Sequence, residues 1–181
     1  MKLDRSRFTP GDKIIVSGNI GEHGLCIMAN RYNLDCGKLE SDCKVLAPAV
    51  EAVFNAAGEK LKFMRDATRG GVLGIIDEIF ENTTFGAVIE EEKLPVSKEV
   101  SAIARLLGID PGFAACEGCF TAVVSSSAAD DCVKALQNIP GCGGAAVIGT
   151  VNDNGQMVLQ NQWGAARKLI VPAGDQLPRI C

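Results

Sequence analysis

A mixed-sheet α+β domain with helices on its faces is the fold class this 181-residue chain predicts. Three observations carry the prediction. β-branched runs and amphipathic helical stretches intermix along the chain; they do so without the strict βα alternation of a doubly wound parallel sheet; and Asn152-Asp153-Asn154-Gly155 sits between two β-branched runs as a hairpin turn.

The first strand covers residues 13–17, where Lys13-Ile14-Ile15-Val16-Ser17 runs into a glycine-rich turn (Gly18, Gly21, Gly24) and then a helix through Met28. A second helix covers 46–57 and a short strand 60–66. Residues 67–71 turn into a helix with Val72, Ile75, Ile76, Ile79 and Phe80 on one face, closed by residues 81–84. A strand follows at 87–91. Pro95 and Ser97 introduce a helix in which Val100, Ile103, Ala104 and Leu107 repeat at helical spacing, with Gly108 as its C′ residue. Residues 120–125 read as a strand, 128–137 as a helix, and 145–151 and 156–160 as the two strands of the hairpin. Residues 1–171 therefore read as one domain without repeats. The last ten, Pro172-Ala173-Gly174-Asp175-Gln176-Leu177-Pro178-Arg179-Ile180-Cys181, show no period and read as an extended, flexible tail.

Composition removes several classes of function. A length of 181 residues with 47% apolar composition is enough for a core without metal or disulfide staples, which excludes global disorder. With 18 Lys+Arg against 22 Asp+Glu the net charge is −4 and no basic cluster exists, so neither nucleic acid nor an anionic membrane is expected as a partner. No apolar run reaches the ~18 residues a bilayer span needs, and residues 1–12 lead into no secretory signal. The eight cysteines are accordingly expected as reduced thiols in a cytoplasm.

Four places offer chemistry. The tail could carry the Cys181 thiol about 33 Å from the domain, stiffened by Pro172 and Pro178. The α-carboxylate would raise the Cys181 pKa and a nearby Arg179 would lower it, although a chance cysteine at a frayed end is the simpler reading of composition alone. The second place is Arg65-Asp66-Ala67-Thr68-Arg69-Gly70-Gly71, a strand-to-helix turn whose cations and helix N-terminal amides suit a phosphoryl group. Its bland alternative makes Asp66 or Thr68 an N-cap and the glycines close packing. The third is Cys116-Glu117-Gly118-Cys119: a lone CxxC is half a zinc site without its other half, and redox pairs usually open a helix whereas this one precedes a strand, so neither a metal nor a disulfide on Cys116 and Cys119 is favoured; Glu117 would serve as acid or base if buried and is only a turn residue if exposed. The fourth, Gly18-Asn19-Ile20-Gly21-Glu22-His23-Gly24, lacks dinucleotide-fingerprint spacing, and His23 reads as a capping or packing residue.

Taken together, Gly11-Asp12-Lys13-Ile14-Ile15-Val16-Ser17-Gly18, Ile20-Gly21-Glu22-His23-Gly24, Ser41-Asp42-Cys43, Met64-Arg65-Asp66-Ala67-Thr68-Arg69-Gly70-Gly71, Glu117-Gly118 and the terminal Pro178-Arg179-Ile180-Cys181 resemble the hydrogenase expression/formation protein HypE family. The match runs in order along nearly the whole chain. Its ending is the most specific element, because the other motifs are shared with the wider aminoimidazole ribonucleotide synthetase and selenophosphate synthetase superfamily. The resemblance implies the α/β/α C-terminal-domain fold of that superfamily. It also implies a role in making the cyanide ligands of the nickel–iron hydrogenase active-site iron. In that scheme a carbamoyltransferase, HypF, loads a carbamoyl group onto Cys181; ATP with magnesium drives its dehydration to a thiocyanate; and the HypC–HypD iron scaffold receives cyanide. Cys181 would be the covalent acceptor, Glu117 the group that handles the nitrogen proton, and Arg65, Asp66, Thr68, Arg69, Gly70 and Gly71 the phosphate contacts.

Two departures from the family pattern qualify this. Its members carry a further N-terminal half that supplies most of the ATP and magnesium site, so this chain reads as the C-terminal half alone, a fragment or a naturally split protein. It is then expected to hold no tightly bound cofactor and to lack dehydration activity by itself. Cys116 and Cys119 also stand where the family has Asn before the Glu and a residue other than cysteine after the Gly. Two alternatives are another ATP-dependent synthetase or small-molecule kinase of the superfamily, with the tail incidental, and a non-catalytic thiol or metal-binding module.

Overall fold

Alternation in the first strand, β1 (Lys13–Val16), sends Ile14 and Val16 to one face of a sheet and Ile15 to the other. Helices cover both faces, so all three are fully buried. The remaining strands are β2 (Leu61–Asp66), β3 (Gly86–Glu90), β4 (Phe120–Val124), β5 (Ala146–Asn152), β6 (Met157–Gln160) and β7 (Ala166–Lys168). In the computed structural model, which describes residues 2–172, they form one mixed sheet of order β2-β4-β1-β5-β3-β6-β7. Pairing is antiparallel throughout except between β3 and β6. The tail from residue 173, with Cys181, lies outside the described residues.

Five helices connect the strands: α1 (Glu22–Arg31), α2 (Ala47–Ala57), α3 (Gly71–Phe80), α4 (Lys98–Leu107) and α5 (Ser126–Gln137). On one face α2 and α5 bury Ala49, Val53, Ala128 and Leu136 against Ile15, Phe120, Ala122 and Val124. On the other, α3 sets Val72, Ile76, Ile79 and Phe80 against Ile14, Val16 and Val123, together with Phe8. Leu25 and Met28 of α1 and Val100 and Ile103 of α4 form a third cluster. The sheet with helices on both faces is the predicted α+β class. No helix among the described residues is long and apolar enough to cross a membrane.

Helix α4 shows how local chemistry sets an element. The Ser97 hydroxyl accepts from the Val100 N–H at 3.2 Å, and Gly108 ends the helix at φ +67°, where its N–H returns to the Ala104 carbonyl. Ser97→Ala is expected to cost about 1 kcal/mol, a fall of about 2–4 °C in Tm. An unchanged thermal melt would show that the cap contributes nothing.

The expected hairpin is corrected. β5 and β6 do not pair with each other, because β3 lies between them, antiparallel to β5 and parallel to β6. The intervening residues arch over the start of β3: the Ala87 N–H donates to the Gln156 carbonyl at 3.0 Å, and a Cβ on Gly86 would overlap the Gln156 backbone. A turn signal specifies that the chain reverses and leaves open which strand fills the gap. The actual hairpin joins β6 to β7, closed by Asn161 N–H to Ala165 carbonyl and Gly164 N–H to Asn161 carbonyl bonds of 3.0 and 2.9 Å.

Candidate functional site

Three segments far apart in sequence meet at the end of β2 and the start of β4. The 65–71 turn leaves β2 for α3, the 116–119 turn leads into β4, and the 41–44 loop lies against the latter. One residue ties the first two together. Ala67 accepts from the Cys116 N–H at 3.1 Å through its carbonyl and donates its own N–H to the Cys119 carbonyl at 3.0 Å, so both ends of the 116–119 turn are strapped to it. Asp42 fixes the turn's corner: its carboxylate accepts from the Glu117 N–H at 3.0 Å, and its carbonyl lies where a Cβ on Gly118 would be.

Two helix N-termini converge on the segment before this turn. Gly21, the N-cap of α1 at φ +74°, donates its N–H to the Cys116 sulfur at 3.2 Å, and the Gly24 N–H reaches the Ala115 carbonyl. At α3 a Cβ on Gly71 would come within 2.6 Å of the carbonyls of Gly112 and Ala114, and the residue sits at φ +63°. Glycine is required there by the close approach and by the backbone conformation together.

The residues singled out from the sequence divide as follows. Glu117 is half-buried, and its carboxylate makes no hydrogen bond or ion pair among the described residues. Arg69 is exposed and likewise unpartnered among them, whereas Gly71, Val72 and Leu73, the first residues of α3, are buried. Arg65 is turned to α3, where it pairs with Glu78 at 2.8 Å. Thr68 donates its hydroxyl to Asp66 at 2.9 Å. Neither caps α3, whose N-cap is Gly70 at φ +71° without a side-chain bond, so the capping alternative for Asp66 and Thr68 is corrected. His23 Nδ1 meets the Ser41 hydroxyl at 2.8 Å at the surface, bracing the 41–44 loop.

Cys116 and Cys119 are buried free thiols in contact with each other. Their mutual contact holds the Cys119 thiol down and the Cys116 thiol up, with burial adding to the second and the Ser17 hydroxyl to the first. Among the described residues no group of three or more His, Cys, Asp and Glu is placed to hold a metal ion. Arg69, exposed and uncommitted among the described residues, is a cation left open to an anion such as a phosphoryl group.

Asp42 is the residue positioning this turn that the sequence did not single out as a site, although the Ser41-Asp42-Cys43 triplet carries part of the family resemblance. It is buried, and its second carboxylate oxygen has no hydrogen-bond partner. The only signal was a carboxylate inside an otherwise irregular, polar stretch.

A mixed sheet sheathed on both faces, with two helix N-termini set on one strapped turn, defines a domain class with a known pattern. The chain belongs to the family described as AIR synthase related protein, C-terminal domain, which it matches over residues 9–161. Within that class it is similar to several HypE proteins. It is 38% identical over 184 residues to a carbamoyl dehydratase HypE of Rhizobium leguminosarum bv. viciae, a match that covers 100% of this chain and 52% of that protein. The crystal structure of E. coli HypE superposes with a TM-score of 0.94 at 36% identity, over 100% of this chain and 56% of that one. A HypE–HypF complex gives 0.88 at 32% identity (94% and 56%), and HypE in complex with ATP gives 0.90 at 31% identity (99% and 55%). The chain thus spans about half the length of the relatives it matches.

Proposed function

We propose that this chain is the C-terminal half of a HypE-type carbamoyl dehydratase and makes the cyanide ligands of the nickel–iron hydrogenase active site. The observation that carries the reading is the Ala67 strap, which sets the phosphate-binding turn and Glu117 side by side, in a chain similar throughout to proteins named carbamoyl dehydratase.

On this reading Cys181 is the acceptor. Its thiolate holds the carbamoyl group as R–S–C(=O)–NH2, delivered by a carbamoyltransferase of the HypF kind, the partner named for one of the similar structures. ATP supplies the phosphoryl group that makes the carbamoyl oxygen a leaving group. The nitrogen loses both its protons, one to solvent as the oxygen is phosphorylated to give R–S–C(=NH)–OPO3 and one as phosphate leaves; Glu117 takes the second, on a carboxylate with no competing partner among the described residues. Arg69 stabilises the phosphate charge as the C–O bond breaks to leave R–S–C≡N. Arg65 acts at one remove, since it is committed to Glu78 in the last turn of α3 and not to the helix N-terminus. Cyanide then passes to iron on a HypC–HypD scaffold.

The chain covers about half of each relative; on this reading the other half supplies most of the ATP site, and these 181 residues with carbamoylated Cys181 are expected not to turn over ATP by themselves. The discriminating experiment compares arginine variants in a reaction completed by an ATP-binding half. Arg69→Ala is expected to lower the rate of thiocyanate formation about tenfold or more, as lost charge stabilisation, whereas Arg65→Ala has a smaller effect. The reverse order would place the phosphate elsewhere.

A further inference from the structure

The 116–119 turn holds chemistry that the dehydration scheme does not use. Its two thiols are 0% and 1% exposed and touch each other, at the ends of a turn whose Cys116 N–H and Cys119 carbonyl are both clamped by the single residue Ala67. That clamp keeps the two backbones close, the condition for closing a disulfide across two intervening residues. The sulfurs have different donors. Cys119 Sγ accepts from the Ser17 hydroxyl at 3.6 Å, and Ser17 in turn accepts from the Phe120 N–H at 2.9 Å, so that donor is held in place; the Cys119 S–H faces the Phe120 carbonyl at 3.8 Å. Cys116 Sγ accepts from the Gly21 N–H at 3.2 Å and donates its S–H to the Ala114 carbonyl at 3.6 Å. Beside them is Asp42, whose buried second oxygen has no partner.

The geometry points to a peroxide-responsive dithiol: Cys119 attacks, Cys116 resolves, and the disulfide displaces the Glu117 corner that lies between them. The oxidant class follows from burial, since a protein or peptide disulfide cannot reach sulfurs this enclosed and hydrogen peroxide is little larger than water. The Cys119 thiolate attacks one peroxide oxygen, breaking the O–O bond to give Cys119–SOH and hydroxide. Cys116 then attacks the sulfenic sulfur, and its proton leaves with the expelled hydroxide as water. In sum two thiols and one peroxide become one disulfide and two waters, the sulfurs losing two electrons. The contact with Cys116 and the Ser17 hydroxyl hold the Cys119 thiol down, which favours it as the attacking sulfur, while that contact and burial hold Cys116 protonated, its S–H on the Ala114 carbonyl, until the second step.

The consequence reaches Glu117 through packing. Replacing a sulfur–sulfur contact by a bond of ~2.0 Å draws the ends of the turn together. The corner has no room to absorb this, because Gly118 is already seated on the Asp42 carbonyl where even a Cβ would overlap. The Glu117 N–H is therefore pulled from the Asp42 carboxylate. That this silences dehydration rests on the role proposed above for Glu117.

The test is peroxide titration of the purified, reduced chain under native conditions. Quenching and alkylation after denaturation follow, then peptide mass mapping with fragmentation to separate the 116–119 pair from Cys132 on the same fragment. The expected result is a Cys116–Cys119 link with loss of two alkylation sites, and loss of exchange protection at the Glu117 amide. Cys116→Ser should leave Cys119 as a sulfenic acid, trapped by dimedone added during denaturation, while Cys119→Ser leaves Cys116 unmodified. Full alkylation of both thiols at peroxide levels that already oxidise the exposed Cys43, a link to another cysteine, or stoichiometric zinc held by the pair would overturn the inference. The mapping needs no variant and no catalysis. A link that forms while Glu117→Ala leaves dehydration intact would refute the proposed function instead.

Discussion

Glu117→Ala is expected to stop conversion of the carbamoyl group to thiocyanate in a reaction completed by the ATP-binding half, a fall of at least ~10²-fold, which is the lower end of what a positioned proton acceptor contributes. Loading of Cys181 is expected to continue, because the acceptor thiol belongs to the tail and the loading chemistry to the partner. The structure gives the reason for so large an effect. Glu117 is the one carboxylate on the strapped turn, its backbone is held by Asp42 at 3.0 Å and by the two Ala67 bonds around it, and its side chain is uncommitted among the described residues. A carboxylate so held costs little reorganisation at the moment of reaction. Glu117→Gln keeps the shape and removes the basicity, and should fail as fully as the alanine variant. Mass measurement of the C-terminal peptide separates the carbamoyl from the thiocyanate form, and thiocyanate accumulating at the normal rate in either variant would remove Glu117 from the chemistry.

Gly118→Ala carries the largest expected loss of stability. Its new methyl would be driven into the backbone carbonyl of Asp42, against the Lys44 side chain as well, and a backbone oxygen in a packed loop cannot swing aside as a flexible side chain can. Overpacking of this kind costs about 2–3 kcal/mol, or about 5–10 °C in Tm for a chain of this size. The 41–44 loop should detach first, which amide exchange would report as lost protection at Glu117. Gly143→Ala is the matching control: a Cβ there meets nothing within 4 Å, and the melt should stay within about 2 °C of the parent. Equal melting of the two variants would mean that the Asp42–Gly118 contact is not maintained in solution.

Much of the fold was legible because its signals are local. Helix α4 announced itself through a Ser97 cap, a 3.6-residue apolar repeat and Gly108, and α3 through Val72, Ile75, Ile76 and Ile79. The β5–β6 reading failed because an Asn-Gly turn encodes reversal of direction alone, while the insertion of β3 is decided by pairing across some 60 residues. Strand β7 was missed because Ala166–Lys168 is short and exposed throughout, leaving no alternation to read. The site divides in the same way. Glu117 and the 65–71 turn were visible as residue types in unusual company. Their junction at Ala67 was not, because it consists of two backbone hydrogen bonds that any residue could make, and Asp42 acts from a loop whose sequence has no period.

The most direct test of the account is to incubate this chain with an active HypF-type carbamoyltransferase, carbamoyl phosphate and ATP, and to measure the intact and peptide masses, with Cys181→Ala as the control. The account predicts a single carbamoyl adduct on the C-terminal peptide, absent from the control and not carried on to thiocyanate by the chain alone. An adduct on another cysteine, or none when the same partner loads a full-length HypE, would contradict the assignment of Cys181 as the acceptor of this chain.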